Sequence, residues 1–119
     1  MFSLYDHYTY AKTKGIKPII GFEAYVVGNH ADRTNEGENA RQHLLLLAKN
    51  EEGYQKISYW CSVGCTDGFY YRPRIDDKIM ARTGGKGVIA TSACIGGRIP
   101  QYILRGQMDK AIEAAKAGR

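Results

Sequence analysis

The stretch Lys17-Pro18-Ile19-Ile20-Gly21-Phe22-Glu23-Ala24-Tyr25-Val26-Val27 decides the reading of the fold. Its branched and aromatic side chains predict a strand over 18–27, with Pro18 tolerable only where such a strand begins. Upstream, Leu4, Tyr8 and Ala11 recur at helical spacing behind Ser3, a candidate cap, and Gly15 closes a helix over 4–14. Downstream, residues 28–41 hold Gly, Asn and Asp with hardly an apolar side chain, which predicts a surface loop or mobile excursion. His43-Leu44-Leu45-Leu46-Leu47-Ala48 then has the pattern of a strand buried on both faces. Asn50 caps a helix over 51–63, with Tyr54, Ile57 and Cys61 on one face and Gly64 as its terminator.

The segment 66–74 opens on a turn signal and ends near Pro73, so it reads as an aromatic loop, followed by a short helix over 76–82. Gly87-Val88-Ile89-Ala90-Thr91-Ser92 predicts another buried strand, which delivers Cys94 at its C-terminal end. A helix near 100–105, a break at Gly106 and a helix from Met108 that continues to the chain end complete the pattern. Strands alternating with helices indicate an α/β architecture without internal repeats. The 119 residues suffice for one domain, but they fall short of the ~200 that a closed eight-fold β/α barrel requires.

A composition of 44% hydrophobic and 24% charged residues belongs to a globular domain and excludes a disordered or collagen-like chain. The longest apolar run, Leu44 to Ala48, cannot span a membrane, and the tyrosine-rich N-terminus has no signal-peptide core, so a cytoplasmic location is the default. Net charge of +5 suits a phosphate-bearing partner. Cys61, Cys65 and Cys94 form an odd set, read as reduced thiols that serve packing or metal ligation.

No P-loop, dinucleotide fingerprint or nucleophile elbow is present. The candidates for chemistry are Glu23, His43 and Cys94, each on or beside a predicted strand. Each also has a structural reading. A strand carboxylate such as Glu23 can be one half of an ion pair, His43 a satisfied core histidine, and Cys94 a small buried hydrophobe. An antiparallel pairing of the 18–27 and 43–48 strands would put His43 on the rim where the Glu23 strand ends; a parallel pairing would send the two toward opposite ends. Sequence leaves both open.

Four blocks in order carry a resemblance: Gly15-Ile16-Lys17-Pro18-Ile19-Ile20-Gly21-Phe22-Glu23-Ala24-Tyr25-Val26; His43-Leu44-Leu45-Leu46-Leu47-Ala48-Lys49-Asn50 with Gly53-Tyr54; Gly68-Phe69-Tyr70-Tyr71-Arg72-Pro73-Arg74-Ile75-Asp76; and Ser92-Ala93-Cys94-Ile95-Gly96-Gly97 with Ile99-Pro100-Gln101. Together they are similar to the PHP (polymerase and histidinol phosphatase) domain of bacterial replicative DNA polymerase III alpha subunits. The resemblance implies an incomplete portion of a distorted PHP-type β/α barrel. It implies that Glu23, His43 and Cys94 stand at three positions of a cluster holding divalent metal ions: zinc, manganese or iron.

The resemblance also implies a parent enzyme that extends DNA, with DNA, the rest of the alpha subunit and other replicase subunits as partners. A complete domain of this kind can act as a metal-dependent 3'-5' exonuclease or serve as a structural module. Residues 1–119 are expected to form the central part of one PHP domain, because the family's opening His-x-His, the following Asp-His and the closing Asp-x-His have no match. The fragment by itself is expected to be inactive. Arg72 and Arg74, interleaved with Tyr70 and Tyr71, are the candidate contacts to backbone phosphates; the bland reading is a solvated surface. A stand-alone PHP phosphoesterase and a non-catalytic module are the rival readings. His7, His30 and the 28–41 loop receive no role, and Trp60 is read as packing.

Overall fold

The computed structural model describes residues 3–117. In chain order it contains helix α1 (Leu4–Thr13), strand β1 (Gly21–Val27), a 3-10 turn (Gly37–Asn39), strand β2 (Gln42–Ala48) and helix α2 (Glu51–Thr66). The two-residue strand β3 (Ile75–Asp76), helix α3 (Asp77–Thr83), strand β4 (Val88–Thr91) and helices α4 (Arg98–Leu104) and α5 (Met108–Ala117) follow. The strands form one mixed sheet in the order β3-β1-β2-β4, with β3 parallel to β1 and the other pairs antiparallel. The α/β class is therefore observed, as an open sheet. Among the described residues, no helix is long and apolar enough to cross a membrane.

Side chains alternate across a strand, so the central pair of strands presents two different faces. Ala24, Val26 and Leu46 pack with Ile57, Trp60 and Val63 of α2 to form the core. Burying a side chain such as Ile57 contributes roughly 1.5–3 kcal/mol. Trp60 is packed as expected, and its indole N–H donates to Thr83 Oγ1 at 2.9 Å, which joins α2 to α3. The opposite face carries Glu23, Tyr25 and His43, which pair in register as Glu23 with Leu45 and Tyr25 with His43.

Several expectations are corrected. In β2 only Leu46 is buried, because α2 covers one face of the sheet alone. β4 is an edge strand, with Ile89 48% exposed; a short apolar run looks the same at an edge as in the interior. Helix α2 continues past Gly64, which lies against the Ile75 side chain and the Arg74 backbone, so this glycine makes room for packing and does not end the helix. The buried stripe of α2 is Gly53, Ile57, Trp60, Val63 and Gly64 rather than one through Tyr54 and Cys61. Ser3 makes no side-chain cap bond, whereas Asn50 caps as expected, accepting from Gly53 N–H at 3.0 Å. Continuation of α5 to the last residue falls outside the described residues.

The 28–41 loop is anchored rather than a loose excursion. Asn39, 7% exposed, accepts from Asn29 N–H at 2.8 Å and donates its amide to the carbonyls of Asp32 and Thr34. At the other end of the sheet, Lys49 N–H donates to Gly87 O at 2.8 Å, and the backbones of Gly53 and Gly87 touch. A Cβ at Gly53 would overlap the Gly87 carbonyl. This contact sets where β4 begins, and through β4 where Cys94 arrives.

Candidate metal centre

The antiparallel register puts Glu23 one diagonal step from His43 on the sheet face away from α2. His43 Nδ1 lies 3.1 Å from Glu23 Oε1 and 3.2 Å from Cys94 Sγ. Residues 20, 51 and 71 positions apart in sequence would not meet without this sheet: β4 pairs with β2 through Thr91 and Leu45, and the chain then turns so that Gly97 bridges His43. His43 N–H donates to Gly96 O at 3.1 Å, and Gly97 N–H closes the turn on Cys94 O at 2.9 Å. A side chain at Gly97 would overlap Ser92 O, so only glycine permits this closure. Ala93 has φ of 56°, a left-handed conformation that costs a non-glycine residue about 1–2 kcal/mol. The turn is strained at the residue that presents Cys94.

Solvent reaches all three groups. The Glu23 and His43 side chains are 58% and 33% exposed, and Cys94 is exposed. The buried readings of His43 and Cys94 are therefore corrected: neither lies in the core, because α2 packs on the other face of the sheet and Cys94 sits in an exposed turn. Tyr25 meets the His43 ring edge-on with centroids 5.2 Å apart and fixes its plane. Gly96 N–H points to Cys94 Sγ at 3.4 Å. Cys61 stands apart on α2; burial first, then Cys65, pushes its thiol above the ordinary value, the opposite of an activated thiolate.

Arg74, expected with Arg72 to meet phosphates, is instead 1% exposed. Its guanidinium donates to the carbonyls of Gly68, Thr34, His30 and Asp32 at 2.7–3.0 Å, a clamp that holds the 28–41 loop to the 66–74 segment. Arg72 is exposed and free of that clamp; Tyr71, with φ of 59°, turns the chain immediately before it.

A second histidine site escaped the sequence reading. Asp76, 1% exposed, accepts from His30 N–H at 3.0 Å, meets His30 Nδ1 at 2.6 Å and caps α3 by accepting from Ile79 N–H at 2.9 Å. Burial raises the Asp76 carboxyl, but the side-chain and backbone bonds from His30, the Ile79 N–H and the His30 charge outweigh it and hold the group below its ordinary value. An Asp just ahead of a short helix was the available signal for the cap; nothing local pointed to a histidine 46 residues away.

A PHP domain model matches residues 1–118. The chain belongs to the PHP domain family. It is 44% identical over 109 residues to DNA polymerase III subunit alpha of Deinococcus radiodurans, covering 87% of this chain and 8% of that relative. The subunit alpha of Borreliella burgdorferi is 42% identical over 113 residues, 93% of this chain and 10% of the relative. That of Thermus aquaticus is 40% identical over 114 residues, 93% of this chain and 9% of the relative. This PHP domain chain thus spans a tenth or less of the length of these curated relatives.

The donors in this PHP domain suit a divalent metal of borderline softness: a carboxylate oxygen, an imidazole nitrogen and a thiol sulfur. Ligand atoms on one tetrahedral zinc ion lie about 3.3–3.5 Å apart, given zinc bond lengths of ~2.0–2.3 Å. The observed separations of 3.1 and 3.2 Å are close to that spacing. Both contacts share the one nitrogen of His43, and among the described residues no group of three or more His, Cys, Asp or Glu side chains is arranged to hold a metal ion. Within the described residues the trio does not by itself make a metal cage; what it has in common with metal sites is its donor types.

Proposed function

We propose that this chain is the central part of the PHP domain of a bacterial DNA polymerase III alpha subunit, serves DNA-templated replication, and contributes Glu23, His43 and Cys94 to a divalent-metal centre that hydrolyses phosphodiesters at a 3' end. The observation that carries this reading is the approach of Glu23, from β1, and of Cys94, from the turn after β4, to the Nδ1 atom of His43. The names of the relatives, all DNA polymerase III subunit alpha at 40–44% identity, favour a replicative parent over a stand-alone phosphoesterase.

Glu23 Oε1, His43 Nδ1 and Cys94 Sγ would hold the metal, zinc, manganese or iron. When bound, such an ion supplies a water activated near neutral pH and a Lewis acid for the phosphoryl oxygen. Tyr25 keeps the imidazole plane fixed, and the Gly96 carbonyl ties the strand to the turn that bears the thiol. Gly96 N–H offers Cys94 Sγ a hydrogen-bond donor. The open face leaves room for a strand end to approach the trio.

Elemental analysis of the complete gene product, purified without chelators, tests the centre. About one or more transition-metal ions per chain in the native protein, with loss in Glu23→Gln and Cys94→Ser, supports it. Equal metal content in native protein and variants, with unchanged release of nucleotides from labelled single-stranded DNA, rejects it.

A further inference from the structure

An open pocket of about 350 Å³ lies beside His43, lined by Tyr25, Asn35, Ala40, Arg41, His43 and Arg72. Two guanidinium-bearing residues line it, and no carboxylate does among the described residues. Arg98 is spent on Asp77 and Arg74 on four carbonyls, but neither Arg41 nor Arg72 forms a salt bridge among the described residues. A pair of guanidinium groups without a carboxylate partner among the described residues calls for an anion with several acceptor oxygens.

The Arg41 side of the pocket is built in advance. Arg41 is half-buried, its backbone N–H donates to Asn35 Oδ1 at 3.0 Å, and its guanidinium lies 5.6 Å over the Tyr25 ring. The same ring meets His43 edge-on, so one tyrosine links Arg41 to the candidate metal centre. The region is electropositive: after burial, the charges of Arg33 and Arg41 pull Arg74 below its ordinary value despite Asp32. The volume is at the small end of ligand pockets, suited to one phosphate with its sugar rather than a length of duplex.

We propose that Arg41 and Arg72 form a seat for one backbone phosphate of single-stranded DNA and so orient the strand across the Glu23–His43–Cys94 face. This rests on the reading of that face as a phosphodiester-hydrolysing centre. Arg41 and Arg72 are positioning residues: they hold the strand without touching the bond that breaks.

The test uses the complete gene product and a short fluorescent single-stranded DNA, followed by anisotropy. Arg41→Gln and Arg72→Gln are each expected to raise Kd about 10-fold, the loss of one charge-assisted contact. Each is also expected to make log Kd less dependent on log salt by about 0.7, as removal of a single phosphate contact requires. Arg82→Gln, an exposed arginine on α3, is expected to change Kd by less than about 2-fold. Arg41→Lys, which keeps the charge, should recover part of the loss and excludes misfolding as its cause. Inorganic phosphate should displace the DNA better than chloride at equal ionic strength.

Equal effects of all three glutamine variants, or none, would overturn the seat, as would phosphate competing no better than chloride. Metal content separates the two readings. Arginine effects in a protein that retains no metal leave the seat standing and remove the metal centre. Retained metal with unchanged DNA affinity in Arg41→Gln and Arg72→Gln does the reverse.

Discussion

Two histidines of this chain each face a carboxylate through Nδ1, and they do different work. His30 and Asp76 are 2.6 Å apart with side chains 18% and 1% exposed, inside a network completed by Arg74 and the cap of α3. His43 and Glu23 are 3.1 Å apart with side chains 33% and 58% exposed, beside a thiol that solvent can reach. A buried pair is held by every hydrogen bond around it and cannot release a partner cheaply; an exposed pair contributes little to stability and is free to accept a ligand. Similar residue types therefore give a clamp in one place and a candidate site in the other.

The largest effect that would break this contrast is expected at the clamp. Asp76→Ala removes the α3 cap and two bonds to His30, and should lower stability by about 3–4 kcal/mol, read from the urea midpoint. A loss below 1 kcal/mol would erase the distinction between the two histidine sites. Arg74→Met should cost about 3 kcal/mol, because it strands carbonyls on both segments that the guanidinium joins.

The clamp also has a pH signature. The Asp76 carboxyl is held below its ordinary value in the folded chain, so its contribution is complete above the unfolded value near pH ~3.9 and is lost as pH falls through the folded one. Urea midpoints of native protein and Asp76→Asn, measured across pH, should differ above that window and converge below it.

At the exposed site the expected effects on stability are smaller. Glu23→Gln should shift stability by less than about 1 kcal/mol, while lowering metal affinity by roughly 10-fold or more. Calorimetric titration with zinc would separate the two, and a large destabilisation would make Glu23 another clamp residue. The smallest effect concerns the turn beside Cys94: Ala93→Gly relieves a left-handed backbone and should raise stability by roughly 0.5 kcal/mol, visible as a small rise in Tm.

The contrast was only half legible in the sequence. Glu23, His43 and Cys94 stood out because each sits on or just after an apolar run, where polar atoms draw notice, and the antiparallel register then brought them together. His30 and Arg74 were hidden by their surroundings. A polar loop offers no periodicity, and the burial of Arg74 arises from carbonyls of residues 30, 32, 34 and 68 that converge only after folding. The edge position of β4 was equally invisible, since Val88-Ile89-Ala90 reads alike with one neighbouring strand or two. Gly64 misled because a glycine that admits a neighbouring side chain resembles one that ends a helix.

The contact of Gly53 with Gly87 has a consequence for how this sequence can vary. Each residue leaves the other no space for a methyl group, so neither can be exchanged first while the other waits. A saturation library scored for folding should find both positions nearly frozen, while the nearby Gly85, with open space around it, accepts many substitutes.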